Sequence, residues 1–266
     1  MSITLVTQET MHHALAARAL SETLKHIEVS EVLTFSDREI VPGARNVLVD
    51  HFPSVNDYCE FMIKGMQEHV TTDHILFVQW DAMAHNRSMW TDEFLKYDYI
   101  GAPWPWEGEG RNIGNGGFSL RSRRLLDALK DPAIQLAGIN EDQVIGQNER
   151  KRLEQVYGIK YAPTALAAQF SYELGPHVPS FGFHGPWNVF KFASRDTAEY
   201  YVNHMDYAGW NIYKWHHVLE AVEQAKYYDM IPVLVNHLRT NSPDLVLPVF
   251  QWLASESHFW QQAMGI

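Results

Sequence analysis

The chain has 266 residues, 46% hydrophobic and 20% charged, with a formal net charge of −11 and a pI near 5.6. That length suits one large α/β domain or one domain with an appended subdomain, and the acidic balance argues against a nucleic-acid partner, which favours a basic face. A nucleotide ligand stays compatible, because a bound metal can carry the positive charge. The single cysteine, Cys59, excludes an intramolecular disulfide and fits inert packing in a helix. The opening "MSITLVTQET" lacks a charged leader region and a long apolar core, and no apolar run approaches the ~20 residues of a membrane span. The expectation is a cytoplasmic protein, or the cytosolic enzyme of a membrane-linked pathway.

The first half alternates strand and helix signals. Ile3 to Thr7 reads as a strand, and Thr10 can cap a helix that buries Ala16, Ala17, Leu20, Leu24 and Ile27. Glu31 to Phe35 and Asn46 to Val49 read as further strands. Ser54 and Asp57 resemble a capping box that opens a helix burying Tyr58, Met62, Met66 and Val70. The apolar run Ile75 to Val78 in "HILFVQWDAM" suits the centre of a parallel sheet covered on both faces. Such β-α alternation predicts a mostly parallel sheet flanked by helices, with ligands beyond the carboxyl ends of the strands. Thr7-Gln8-Glu9, Ser36-Asp37-Arg38 and Gln79-Trp80-Asp81 all fall at such ends.

Residues 98–123 are rich in Gly, Pro and Trp. Tyr99-Ile100 and Phe118 to Leu120 read as strands, with a long loop between them of the kind that is functional or disordered. Asn140 is placed to cap a helix carrying Val144, Ile145, Leu153 and Val156, closed by Gly158. After Pro186 helix-length patterns dominate, over roughly 195–205, 209–227, 228–239 and 244–262. The expected division is 1–186, an α/β domain, and 187–266, a helical subdomain. Five of the nine tryptophans lie in that tail. It can form a core, an acceptor platform or a homodimer surface.

Four features could carry chemistry. Asp81 follows a strand: in isolation such an Asp is most often a turn or cap residue, but it also suits a hard cation held beside a phosphate. Glu141-Asp142 at a helix start either compensates the helix dipole or supplies a general base. In "SFGFHG", glycines bracket Phe183-His184 and present an imidazole, a common metal ligand, although a loop histidine is more often none. "GNGGFSLR", from Gly114, is either a tight turn entering a strand or a glycine cradle for a substrate. It is neither a dinucleotide fingerprint nor a P-loop.

Taken in order, "HILFVQWDAM", "YDYIGAPW", "GNGGFSLRS", "NEDQVIG", "YAPTALAAQFSYE" and "FGFHG" resemble the GT-A-fold glycosyltransferases. Within them the chain is similar to a bacterial and fungal set filed as a domain of unknown function. The resemblance covers about residues 3–186. It implies a GT-A-like α/β fold and transfer of a sugar from a nucleotide-sugar, UDP first, to a hydroxyl of a glycan or lipid-linked glycan, with inversion. It further implies that Asp81 and His184 hold a divalent cation, Mn²⁺ or Mg²⁺, and that Asp142, or second Glu141, is the catalytic base. Thr7 and Glu9 would lie near the nucleoside. Asn115, Gly116 and Gly117 would line the sugar pocket, and Trp104 and Trp106 would stack on sugar faces. The chain departs from the family's acidic motif at Gln79, where the first acid is expected. Gln79 can hydrogen-bond a ribose hydroxyl but is a poorer cation ligand, so weak metal dependence is one expectation. Two other classes use some of the same residues: a glycoside hydrolase pairing Asp81 with Glu141 or Asp142, and a non-catalytic sugar-binding module.

Overall fold

The computed structural model describes residues 1–136 and 138–264. The chain divides into two compact units, Met1–His184 and Gly185–Ile266. The strands of the first unit are β1 (Ile3–Gln8), β2 (Glu31–Ser36), β3 (Arg45–Leu48), β4 (His74–Val78), β5 (Ala82–Ala84), β6 (Tyr99–Ile100), β7 (Phe118–Ser122), β8 (Ser171–Tyr172) and β9 (Gly182–His184). Its helices are α1 (His13–Leu24), α2 (Val55–Glu60), α3 (Arg123–Ala128), α4 (Glu141–Gln143), α5 (Arg150–Tyr157) and α6 (Thr164–Phe170).

Six strands form one sheet in the order β3-β2-β1-β4-β7-β6. The β1–β2, β2–β3 and β1–β4 pairs are parallel; β7 runs antiparallel to both β4 and β6. The sheet is therefore mostly parallel, as the β-α alternation predicts. Both faces are covered. Leu5, Leu76 and Val78 point into a core that includes Ala19 and Leu20 of α1 and Phe170 of α6. Their neighbours Val6, Ile75 and Phe77 point into a second core with Met62 and Met66. This period-2 division on strands buried throughout is what a two-sided parallel sheet requires. The order also reverses at β1: the chain goes out to β2 and β3 on one side, then returns to β4 on the other. Such a switch point opens a crevice at the carboxyl ends of the two strands that flank it, here at Thr7–Glu9 and Gln79–Asp81.

Several local expectations hold. Ser54 Oγ accepts from Asp57 N at 3.2 Å, the capping box read from the sequence. Gly158 ends α5 in the left-handed region at φ 62°. Cys59 is buried as inert packing, and burial, then Glu141, pushes its thiol up to about 11. Others differ. Thr10 does not cap α1; Glu9 Oε1 accepts from the N–H groups of Met11 and His12 at 2.6 and 2.8 Å, and the helix starts at His13. A charged carboxylate is the stronger acceptor for such donors. Asn140 makes no side-chain cap. The helix expected after it is also interrupted, because Val144–Asn148 widens into a π turn between α4 and α5. Gly146 lies in that turn, and a Cβ there would sit 2.7 Å from Ile113 O and 2.8 Å from Gly114 Cα. The wide turn is thus pressed onto the glycine loop. Residues 103–113 form a closed excursion, pinned by a bridge between Pro103 and Ile113.

β5, β9 and β8 make a second, three-stranded sheet that the sequence did not disclose. Strands of two or three residues give no periodic signal.

The second unit holds α7 (Pro186–Phe192), α8 (Arg195–His204), α9 (Ile212–Gln224), α10 (Ile231–Asn241), α11 (Val246–Glu256) and α12 (His258–Met264). Its core is aromatic: Trp215 stacks on Tyr207 at 5.2 Å and 11°, and its Nε1 donates to Ser242 Oγ at 3.1 Å. Trp210, Trp215 and Trp260 are buried, while Trp187 and Trp252 are partly exposed. No described helix is long and apolar enough to cross a membrane.

The two-sided burial of β4 makes a quantitative expectation. Leu76, 0% exposed, should lose about 2–5 kcal/mol of stability as Leu76→Ala. Leu48, 74% exposed on β3, should change by less than about 0.5 kcal/mol as Leu48→Ala. Equilibrium urea unfolding of the two variants measures the contrast.

Candidate functional site

Four chain segments converge beyond the carboxyl end of β4. The first is Gln79-Trp80-Asp81 itself. The second is the turn Asn115-Gly116-Gly117, which meets it because β7 pairs antiparallel with β4 and so begins where β4 ends. Gln79 N donates to Gly117 O at 2.9 Å and locks that junction. The third is β9, which pairs with β5 so that His184 stands opposite Ala82, one residue after Asp81. The fourth is the start of α4, where Asp142 Oδ2 accepts from Gly116 N at 3.3 Å.

Gly117 is where these segments touch most closely. A Cβ there would lie 2.3 Å from His184 Cδ2 and Nε2 and 2.7 Å from Gln79 Oε1. Only glycine leaves the imidazole its place. Asn115 steadies the turn, its Oδ1 accepting from Gly117 N at 3.2 Å and its Nδ2 donating to Glu173 Oε2 at 2.8 Å.

His184 is held at both nitrogens. Nδ1 faces Glu173 Oε1 at 3.0 Å, and Nε2 faces Gln79 Oε1 at 3.1 Å and Asp81 Oδ1 at 3.5 Å. Burial opposes its charged form, but Asp81 and then Glu173 overcome this and hold the imidazole well above its ordinary value. The two carboxylates thus favour the protonated ring over the neutral one. A carboxylate on Nδ1–H is also the arrangement that turns Nε2 toward a metal. Two atoms ligating one ion at about 2.1 Å each lie roughly 3–3.5 Å apart. Gln79 Oε1, Asp81 Oδ1 and His184 Nε2 have that spacing about Nε2. One imidazole nitrogen and two oxygens form a mixed set suited to a first-row divalent cation. The residues fit the group that the sequence implied.

The adjacent acids differ sharply. Glu141 is buried against the fully buried Arg121 at 3.3 Å. Arg121 in turn donates to Ser119 Oγ at 3.0 Å and lies over the Phe77 ring at 5.1 Å. Asp142 has no cation of its own. Burial, then Glu141, lifts its carboxyl from 3.8 to about 7, against the pull of the Gly116 and Gln143 N–H groups. An acid poised near neutrality at a cleft is suited to proton transfer. The cleft has a volume of about 280 Å³, and its wall includes Asp142, His184, Asn115, Glu173, Trp104 and Trp106.

Of the residues singled out in the sequence, Gln79, Asp81, Asn115, Gly116, Gly117, Asp142 and His184 come together here. Trp104 is buried, its ring filling the space a Gly114 Cβ would take; Trp106 is 64% exposed. Thr7 and Glu9 lie at the end of β1, outside that wall. Thr7 Oγ1 is buried without a hydrogen-bond partner, and one Glu9 oxygen serves the start of α1. Glu173, Arg121 and Tyr58, which accepts from Gln79 Nε2 at 3.0 Å, are the supporting residues that the sequence reading missed. Glu173 sits inside "YAPTALAAQFSYE", but only the β8–β9 pairing brings it to His184.

The family profile described as "Protein of unknown function (DUF5672)" matches residues 44–184. The chain belongs to this family. The matched span includes Gln79, Asp81, Asp142 and His184. No curated protein matches the chain. Among solved structures it is similar to a glycosyltransferase involved in the glycosylation of the major capsid of PBCV-1, at 10% identity over 75% of this chain and 98% of that one, TM-score 0.46. It is also similar to the bifunctional IspDF from Campylobacter jejuni, at 10% identity over 61% and 49% of the chains, TM-score 0.38. A third is glucosyl-3-phosphoglycerate synthase from Mycobacterium tuberculosis in complex with Mn²⁺, UDP and phosphoglyceric acid, at 12% identity over 46% and 56%, TM-score 0.33.

The two acids should separate in stability measurements. Glu141→Ala strands Arg121 as a buried charge and should cost about 3–5 kcal/mol. Asp142→Asn should act in the opposite direction. Between pH 4 and 7 the folded protein holds a proton on Asp142 that the unfolded chain has released, so wild-type stability falls as pH rises through that window. The variant escapes this loss. Its melting temperature should exceed wild type by a margin that grows from about pH 4 to 7 and then levels, roughly 2–4 °C per kcal/mol recovered.

Proposed function

We propose that the chain is a glycosyltransferase that moves a sugar from a nucleotide-sugar, UDP first, to an acceptor hydroxyl with inversion. One observation carries the reading. An acid poised near neutral pH and a preformed imidazole–carboxylate–amide trio meet beyond the carboxyl end of β4. In this reading residues 1–184 form the donor-binding and catalytic unit. Gln79, Asp81 and His184 would hold a divalent cation, which supplies positive charge for the leaving diphosphate. Glu173 and Asn115 keep the His184 ring in position. The Gly116-Gly117 backbone lets His184 and Asp142 pack close to the turn, and the donor sugar would lie in the cleft beside Asp142. Asp142 takes the proton from the acceptor hydroxyl as that oxygen attacks the anomeric carbon from the face opposite the diphosphate. Glu141 is held in the buried ion pair with Arg121 and is the second candidate for that role. That pairing also counts against a two-carboxylate hydrolase using Glu141.

Asp142→Asn should lower transfer by about 10²–10⁴-fold, the usual worth of a general base. It should leave intact the rise in melting temperature that UDP and Mn²⁺ together produce by binding the native state. Normal turnover would remove Asp142 from the base role. Absence of a melting shift with every nucleotide tried, with and without Mn²⁺, would sink the transferase reading.

The raised affinity of His184 for a proton sets a second expectation. A ligating imidazole must be neutral, so cation binding competes with that proton. Mn²⁺ affinity, measured by calorimetry without nucleotide, should climb as pH rises, with proton release on binding. A flat profile would mean that His184 is not a ligand.

A further inference from the structure

The second unit carries a cluster that the transferase reading does not use. His216, His217 and Glu220 lie on α9, with one ligand atom from each within 4.8 Å of the others. His216 and Glu220 are four residues apart and His217 and Glu220 three, so all three project near one side of the helix. His217 Nδ1 lies 3.7 Å from Glu220 Oε2.

His216 is the informative member. It is 2% exposed, and its Nδ1 is buried without a hydrogen-bond partner. Its Nε2 is engaged, 2.9 Å from Glu256 Oε2 at the end of α11. Glu256 is itself fixed, because its Oε1 accepts from Trp252 Nε1 at 2.9 Å, and the Trp252 ring stacks on His216 at 3.9 Å. A carboxylate that accepts from Nε2–H sets the tautomer and leaves the Nδ1 lone pair available. That is the outer-sphere arrangement found behind metal-bound histidines. A buried imidazole nitrogen with nothing to bind is otherwise a cost to the fold.

We propose that His216, His217 and Glu220 form a cation site of the zinc class, with Glu256 orienting His216 from outside. Two imidazoles and one carboxylate make a set that leaves a fourth tetrahedral position open. His217 and Glu220 are partly exposed, so their side chains can close the remaining distance. Lys191 on α7 is the cation that otherwise interacts with Glu220; an ion at the site competes with it.

Zn²⁺ titration of the full chain by calorimetry tests this. A His184→Gln background keeps the first unit's candidate ligands out of the measurement. One Zn²⁺ should bind. His217→Gln and Glu220→Gln, both at partly exposed positions where folding is little disturbed, should each weaken binding by at least tenfold. Glu256→Gln should weaken it by about 10–100-fold although it touches no metal. Lys191→Met should tighten it. Absence of Zn²⁺ binding, or binding that His217→Gln and Glu220→Gln leave unchanged, would overturn the site. Neither outcome bears on the role of Asp142.

Discussion

The candidate site rests on one steric constraint: no Cβ fits at Gly117. Its backbone fills the gap between the end of β4 and the His184 ring, with 2.3 Å separating the ring from where a Cβ would stand. Everything else follows from that closeness. Gln79 N reaches Gly117 O, which seats β7 beside β4 and ends the parallel part of the sheet. Gly116, one residue earlier, brings its N–H to Asp142. A side chain at either glycine would push apart the imidazole, the amide and the acid that the crevice assembles. The run "GNGG" is therefore a packing requirement: Trp104, Glu141 and His184 take the space that side chains there would need.

Charge in the crevice is arranged in a pair and a separate trio, and this is why neighbouring acids behave differently. Arg121, fully buried beneath the turn, neutralises Glu141. Asp81 and Glu173 together favour the charged form of His184. Asp142 makes no ion pair among the described residues; burial, then Glu141, raises its carboxyl against the Gly116 and Gln143 N–H groups and the more distant Arg121. Position on the first turn, rather than residue type, decides which acid is a strut and which can take a proton.

Much of this was legible in the sequence, and the boundary is physical. The strands of the large sheet announce themselves because burial on both faces demands continuous apolar runs, as in Ile75 to Val78. Asp81, Asp142 and His184 stand out because polar groups interrupt apolar or glycine-rich stretches. The partners were not legible. Glu173 to His184, Arg121 to Glu141 and Gln79 to Tyr58 are separated by 11, 20 and 21 residues and depend on which short strands pair. β5, β8 and β9 are too brief to show a period, so the sheet that delivers His184 left no trace in the pattern. The cap of α1 failed for a related reason: Thr10 and Glu9 are both plausible acceptors, and only the approach of the helix axis chooses between them.

Gln79 is the position where the sequence departs most from an acidic metal motif, and the structure gives that departure a function. An acid there would place a third negative charge beside Asp81 and Glu173. The amide avoids this and is directional. Its Nε2 donates to Tyr58, which fixes Oε1 toward His184. Burial, then Glu141, raises the Tyr58 hydroxyl well above its ordinary value, so it stays neutral and able to hold the amide. The oxygen presented to the crevice is thus a neutral carbonyl of set orientation. Such a ligand attracts a cation less than a carboxylate does, but it costs less to bury before one arrives. The trio can exist preformed because one of its members carries no charge.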